Sequence, residues 1–160
     1  MNIEITGSCQ PRSHPVMWDL WRLSDCYRVE WTEDGRKCVL YIYTGTFWDG
    51  ASIPRVLTPI MPRRGINDAA SLVHDTLFES RGHPHTTHKY IEDGKEVERV
   101  FTLDEVNTLF AELLDYHKYP ILRGMLGVLA VGVASPYLWN NHKGKIHSKI
   151  KKHLKECEHK

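Results

Sequence analysis

The sequence predicts an α+β domain in which an N-terminal antiparallel β-meander packs against three to four helices. Three observations carry that expectation. The first fifty residues are rich in aromatic and β-branched residues and contain an Asp-Gly pair. Later segments carry apolar residues at the helical period. A second Asp-Gly pair, Asp93-Gly94, marks a β-hairpin excursion between the first two long helices.

Taken in order, Trp18 to Leu23, Tyr27 to Trp31 and Lys37 to Tyr43 read as strands, and Glu33-Asp34-Gly35-Arg36 closes a hairpin because Asp-Gly accepts the positive φ angles of a tight primed turn. A loop follows from Thr44 to Ile53, with Gly45 and Gly50 permitting unusual backbone angles. Pro54 suits the first turn of a short helix, and Pro59 and Pro62 stop it.

The clearest helix spans about Asn67 to Ser80, with Asn67 or Asp68 as N-cap and Gly82 at its end. Its apolar residues Ile66, Ala69, Ala70, Val73 and Leu77 form a face expected to pack on the sheet. Residues 83–101 read as an inserted excursion: a His-rich loop, then Lys89 to Glu92 and Lys95 to Phe101 about the second Asp-Gly turn. Thr102 and Glu105 form a capping box for a helix whose stripe is Val106, Leu109, Phe110, Leu113 and Leu114. A third helix runs from about Pro120 to Ala134, and Lys143 to Lys155 is amphipathic through Ile146, Ile150 and Leu154.

At 160 residues, one domain is expected, spanning 1–142, with a basic tail at 143–160. Apolar residues at 41% and charged ones at 26% exclude a wholly disordered, collagen-like or coiled-coil chain. The net charge of +1 excludes a generic polyanion binder, but residues 140–160 hold seven Lys against two Glu. That tail can lie on anionic lipid or follow a nucleic-acid backbone, or dock its stripe on its own domain. Met1 to Gln10 has neither a cationic start nor an apolar run, so a cytoplasmic location is expected. Cys9, Cys26, Cys38 and Cys157 form no Cys-x-x-Cys pair and read as reduced, small buried hydrophobes, Cys38 above all. The apolar stretch Ile121 to Trp139 is too interrupted to cross a bilayer and reads as a buried helix, with interfacial membrane contact left open.

Two islands carry the candidate chemistry. One is Phe47-Trp48-Asp49-Gly50-Ala51-Ser52-Ile53-Pro54-Arg55, the other Leu72-Val73-His74-Asp75-Thr76-Leu77-Phe78. On a helix His74 shares a side with Ala70, Leu77 and Phe78, so its imidazole lies partly buried, where desolvation and a carboxylate tune its pKa. Asp75 sits about 100° round the helix, nearly in line with Asp68. Two readings stand side by side. In one, His74 is a general base, Asp49 and Asp75 either hold a divalent cation or orient His74, and Ser52 or Arg55 stabilises developing negative charge. In the other, His74 is a core histidine beside a solvated Asp75, Asp49 or Ser52 caps the short helix, and Arg55 makes a structural ion pair. The His83, His85 and His88 run could collect a transition metal on one loop, though no Cys or carboxylate accompanies it at ligand spacing.

The order of Trp21-Arg22-Leu23, the Asp49 to Arg55 island and the His74 to Phe78 island resembles a phage and prophage family of unknown function. That family is marked by Thr-Asp-x-Ala-Ser-x-Pro-Arg followed by His-Asp-x-Leu-Tyr, and the resemblance covers roughly residues 18–139. It implies a phage-type origin and a compact α+β fold, but no established activity. Trp48 replaces the family's Thr, Phe78 its Tyr, and Asn107 stands where the following helix usually carries an Asp, which removes a carboxylate able to orient His74. A weaker similarity is to phospholipases with a helical His-Asp pair after a glycine-rich calcium loop. The functions implied are a small ester or phosphoester hydrolase, or a non-enzymatic phage accessory protein that binds a host or virion component.

Overall fold

The computed structural model describes residues 3–17, 20–50 and 67–141. The short helix expected after Pro54, Ser52, Arg55 and the basic tail lie outside them. In chain order the elements are β1 (Ile3–Ser8), β2 (Ser13–Met17), β3 (Leu20–Leu23), β4 (Tyr27–Glu33), β5 (Arg36–Ile42), β6 (Phe47–Trp48), α1 (Asp68–Glu79), β7 (His88–Glu92), β8 (Lys95–Glu96), α2 (Leu103–Tyr116) and α3 (Ile121–Asn141). The α+β class is as the sequence predicts.

The strands form two antiparallel sheets, one ordered β1-β4-β5-β7-β8 and one ordered β2-β3-β6. Alternation along β4 and β5 decides which face is buried. Tyr27, Val29 and Trp31 oppose Ile42, Leu40 and Cys38 in register, and all six are buried. A slip of one residue would turn that set to solvent. The turn between them places Asp34 at φ 49° and Gly35 at φ 84°, the left-handed pair that a two-residue hairpin needs.

Residues 88–96 are not an appendage. β7 pairs along β5, with Tyr90 opposite Leu40 and His88 opposite Ile42, so the expected excursion supplies an interior strand of the larger sheet. Its turn, Asp93 at φ 48° and Gly94 at φ 81°, repeats the first hairpin's geometry. β1 and β2, short strands that the composition does not signal, complete the two sheets.

The helices sit in one layer around α2. The capping box is formed: the Thr102 hydroxyl accepts from the Glu105 N–H at 3.3 Å and Glu105 accepts from the Thr102 N–H at 2.6 Å. Val106, Leu109, Phe110, Leu113 and Leu114 are buried against the other elements. α1 packs closely on α2 and reaches β6, and its Ala69, Ala70, Val73 and Leu77 share one core with Val29, Leu40 and Ile42 of the larger sheet, the face the sequence predicts. Its end is fixed by Gly82, at φ 71°, whose carbonyl accepts from the Phe101 N–H at 2.9 Å. α3 runs past the expected stop, through Pro136 to Asn141, and no helix among the described residues is long and apolar enough to cross a membrane. Cys38 is buried as expected, whereas Cys9 and Cys26 are exposed.

One ionic cluster ties sheet to helix. Arg99 binds Glu33 through two short contacts, 2.6 and 2.8 Å, and Glu105 at 2.6 Å, while donating to the Tyr90 hydroxyl at 3.0 Å. The paired Arg99 guanidinium holds the Glu33 carboxyl below the usual carboxylate range.

Candidate functional site

α1 is buried on all sides from Asp68 to Leu77, and five of its ten buried residues are polar: Asp68, Ser71, His74, Asp75 and Thr76. A helix of this length normally buries one apolar stripe and leaves its polar residues in water. Here polar groups have been taken out of water, which costs free energy unless they are bonded or used. The Ser71 and Thr76 hydroxyls find no hydrogen-bond partner among the described residues.

His74 lies at the centre of this helix and is only 8% exposed, more deeply set than its helical position alone suggests. Its ring stacks on Phe78 at 5.4 Å between centroids and meets Phe110 of α2 edge-on at 5.3 Å. Trp139 of α3 meets Phe78 edge-on at 5.3 Å. The Nε2 atom lies 3.3 Å from Asn107 Oδ1, also on α2. With the amide oxygen facing the ring, Nε2 carries the proton and Nδ1 keeps its lone pair. Burial pushes the His74 pKa down to about 4, against the opposing effects of the Asn107 bond and the nearby Asp49 charge. The imidazole is therefore neutral at physiological pH.

The two islands do converge. The Asp49 backbone N–H, at the end of β6, donates to Asp75 Oδ2 at 3.2 Å, and Asp49 is close enough to act on the His74 charge. Asp49 and Asp75 are 5% and 7% exposed, so Asp75 is not the solvated residue of the structural reading. Asp75 Oδ1 approaches His74 Nδ1 to 3.9 Å, beyond hydrogen-bond reach but well within electrostatic range. Gly45 and Gly50, at φ 84° and 77°, bracket the loop that brings Asp49 in.

Among the described residues, no three His, Cys, Asp or Glu side chains are grouped so as to hold a metal ion. Asp49, His74 and Asp75 are thus neighbours without forming a described three-donor metal site. The same holds for the histidine loop. His88 points into the core opposite Ile42, while His83 and His85 are exposed, and Thr87 Oγ1 lies 3.0 Å from His85 Nδ1 and 3.2 Å from His88 Nδ1. His85 and His88 instead border a cleft of about 420 Å³ shared with Lys89, Tyr90, Arg99 and Phe101, whose lining includes none of Asp49, His74 and Asp75.

Sequence reasoning reaches His74, Asp75, Asp49 and the position of Asn107. It misses Ser71, and it places Thr76 in the second island and Phe110 in the α2 stripe without giving either a part in the site. Periodicity alone held the signal for two of these, because Ser71 and Thr76 fall on faces of α1 that only a fully enclosed helix buries.

Residues 21–131 match the model of a family described as a protein of unknown function (DUF1353). No curated protein and no solved structure matches the chain.

Proposed function

The chain belongs to the DUF1353 family of unknown function, and from that premise we propose that it is a small hydrolase, of phage type and working in the host cytoplasm, that cleaves an ester or phosphoester bond with His74 as general base. The observation that supports this is the neutral imidazole buried among Asp49, Asp75 and Asn107 on a helix half of whose buried residues are polar. Asn107 Oδ1 accepts the hydrogen bond from Nε2–H and so leaves the Nδ1 lone pair as the base. When Nδ1 accepts a proton from water, the Asp75 carboxylate 3.9 Å away stabilises the imidazolium, and the Asp49 N–H holds that carboxylate in place. Ser52 and Arg55 are the residues assigned to developing negative charge, and Asp49 with Asp75 to any divalent cation.

A second reading is favoured by the packing of His74 between Phe78 and Phe110. In it the polar cluster clamps loop to helix, and the chain is a non-enzymatic phage accessory protein that binds a host or virion component. One experiment separates the two. Wild type and His74→Gln are assayed on tributyrin, p-nitrophenyl phosphate and bis(p-nitrophenyl) phosphate, with Mg²⁺, Ca²⁺, Mn²⁺ or EDTA, and their melting temperatures are recorded. The hydrolase reading expects turnover that falls at least about a hundredfold in His74→Gln with little change in melting temperature. No turnover, with His74→Gln strongly destabilised, supports the clamp.

A further inference from the structure

Away from His74, the ends of three elements bring a serine, a histidine and a tyrosine together. Ser8 closes β1, Tyr27 opens β4 and His117 caps the C-terminus of α2. Ser8 Oγ lies 2.9 Å from His117 Nε2 and 2.6 Å from the Tyr27 hydroxyl. The packing of α2 on β1 holds the first contact across 109 residues of sequence.

Proton bookkeeping gives the cluster a direction. Burial pushes the Tyr27 phenol up, so it stays protonated and donates its hydrogen. Burial also pushes the His117 imidazole down from its ordinary value, so it is neutral and able to accept. In the Nδ1–H tautomer of His117, Ser8 accepts from Tyr27 and donates to His117 Nε2. Among the described residues its other partner is the Cys9 carbonyl, an alternative acceptor for the same hydrogen at 3.4 Å, the longest contact of the three. A serine hydroxyl donating to a neutral imidazole at 2.9 Å is the arrangement of an activated nucleophile and its base. Ser8 is half-buried rather than sealed, and at the rim Cys9 is exposed and Tyr116 is 42% exposed, its ring edge-on to His117 at 5.2 Å.

We propose that Ser8 is a nucleophile activated by His117, forming a second reactive site that takes activated aryl esters, the Tyr116 ring offering an apolar face to the aryl group. In the acylation step the Ser8 Oγ bonds to the carbonyl carbon, the bond from that carbon to the aryl oxygen breaks, and the Ser8 proton passes to His117 Nε2 and on to the departing aryloxide. Water then attacks the acyl-serine, giving its proton to His117, and the carboxylic acid leaves as Ser8 recovers its own.

The test uses the full chain carrying Cys9→Ala, which removes the exposed thiol, and an alkyl fluorophosphonate as probe. Here an Oγ–P bond forms, the P–F bond breaks, and fluoride leaves while the proton passes to His117. Peptide mapping should place the label on Ser8, and His117→Gln, at an unchanged melting temperature, should slow labelling by about a hundredfold. Labelling should be unchanged in His74→Gln, which separates this site from the one on α1. Mapping on the parent chain stands even if Ser8→Ala does not fold. An unlabelled Ser8, or His117→Gln labelled at the parent rate, would overturn the proposal.

Discussion

Asn107 Oδ1 sits 3.3 Å from His74 Nε2, so a single amide on α2 sets which nitrogen of a buried imidazole holds the proton. Replacing it by a carboxylate, Asn107→Asp, puts a negative charge where a neutral acceptor stood. An opposite charge at this range favours the imidazolium by one to three pKa units, as an order of magnitude. His74 should therefore titrate near the ordinary histidine range instead of about 4. Two-dimensional NMR of the imidazole carbons against pH checks this, and an unmoved midpoint refutes the assigned contact.

Folding should weaken with acid before any carboxylate titrates fully. Burial depresses both His74 and His88 to about 4, against about 6.5 when unfolded. The unfolded chain then binds protons first as pH falls, so stability is lost between about pH 6.5 and pH 4. Each histidine contributes up to roughly 3 kcal/mol of that loss. Urea midpoints measured at half-unit steps should fall across this window, and the fall should be shallower in a His74→Gln, His88→Gln double variant.

Arg99 binds Glu33 and Glu105 at once, and Glu33 is almost wholly buried. Removing the cation alone, as in Arg99→Met, strands that carboxylate and should cost about 3 kcal/mol, the lower end for a buried pair because Arg99 is partly exposed. Adding Glu33→Gln should recover part of the loss. A double-mutant cycle by chemical denaturation reads the coupling, and strict additivity would contradict it.

Two glycines with similar backbone angles should respond differently. At Gly82 an added Cβ would fall 1.9 Å from the Phe101 carbonyl oxygen, whereas at Gly35 nothing lies within 4 Å. Gly35→Ala should cost only the left-handed strain, about 1 kcal/mol. Gly82→Ala must also part the α1 terminus from residue 101 and should cost roughly 4 kcal/mol or more. Thermal melts of the two variants give the comparison.

What the sequence made legible is what is local. Asp34-Gly35 specified its turn within four residues, and Thr102 with Glu105 specified a helix start within one turn. The place of β7 was not legible, because pairing Tyr90 with Leu40 joins residues fifty apart and no short-range pattern records it. The same limit explains the sites. His74 and Asp75 share a helix and could be named together, and Asp49 joined them through motif order. Ser8 and His117 stand on distant elements, each an ordinary residue until β1 and α2 pack. Cys9 and Cys26 show the opposite failure, since general thiol statistics gave way to where the chain turns.

The most direct test of His74 as the base is the pH dependence of kcat/KM for hydrolysis of an alkyl ester or a phosphoester, in wild type and in Asn107→Asp. The acid limb should bend near pH 4 in wild type and move upward by at least about one pH unit in Asn107→Asp, following the imidazole. An acid limb at the same pH in both proteins, or no hydrolysis in either, would contradict the assignment.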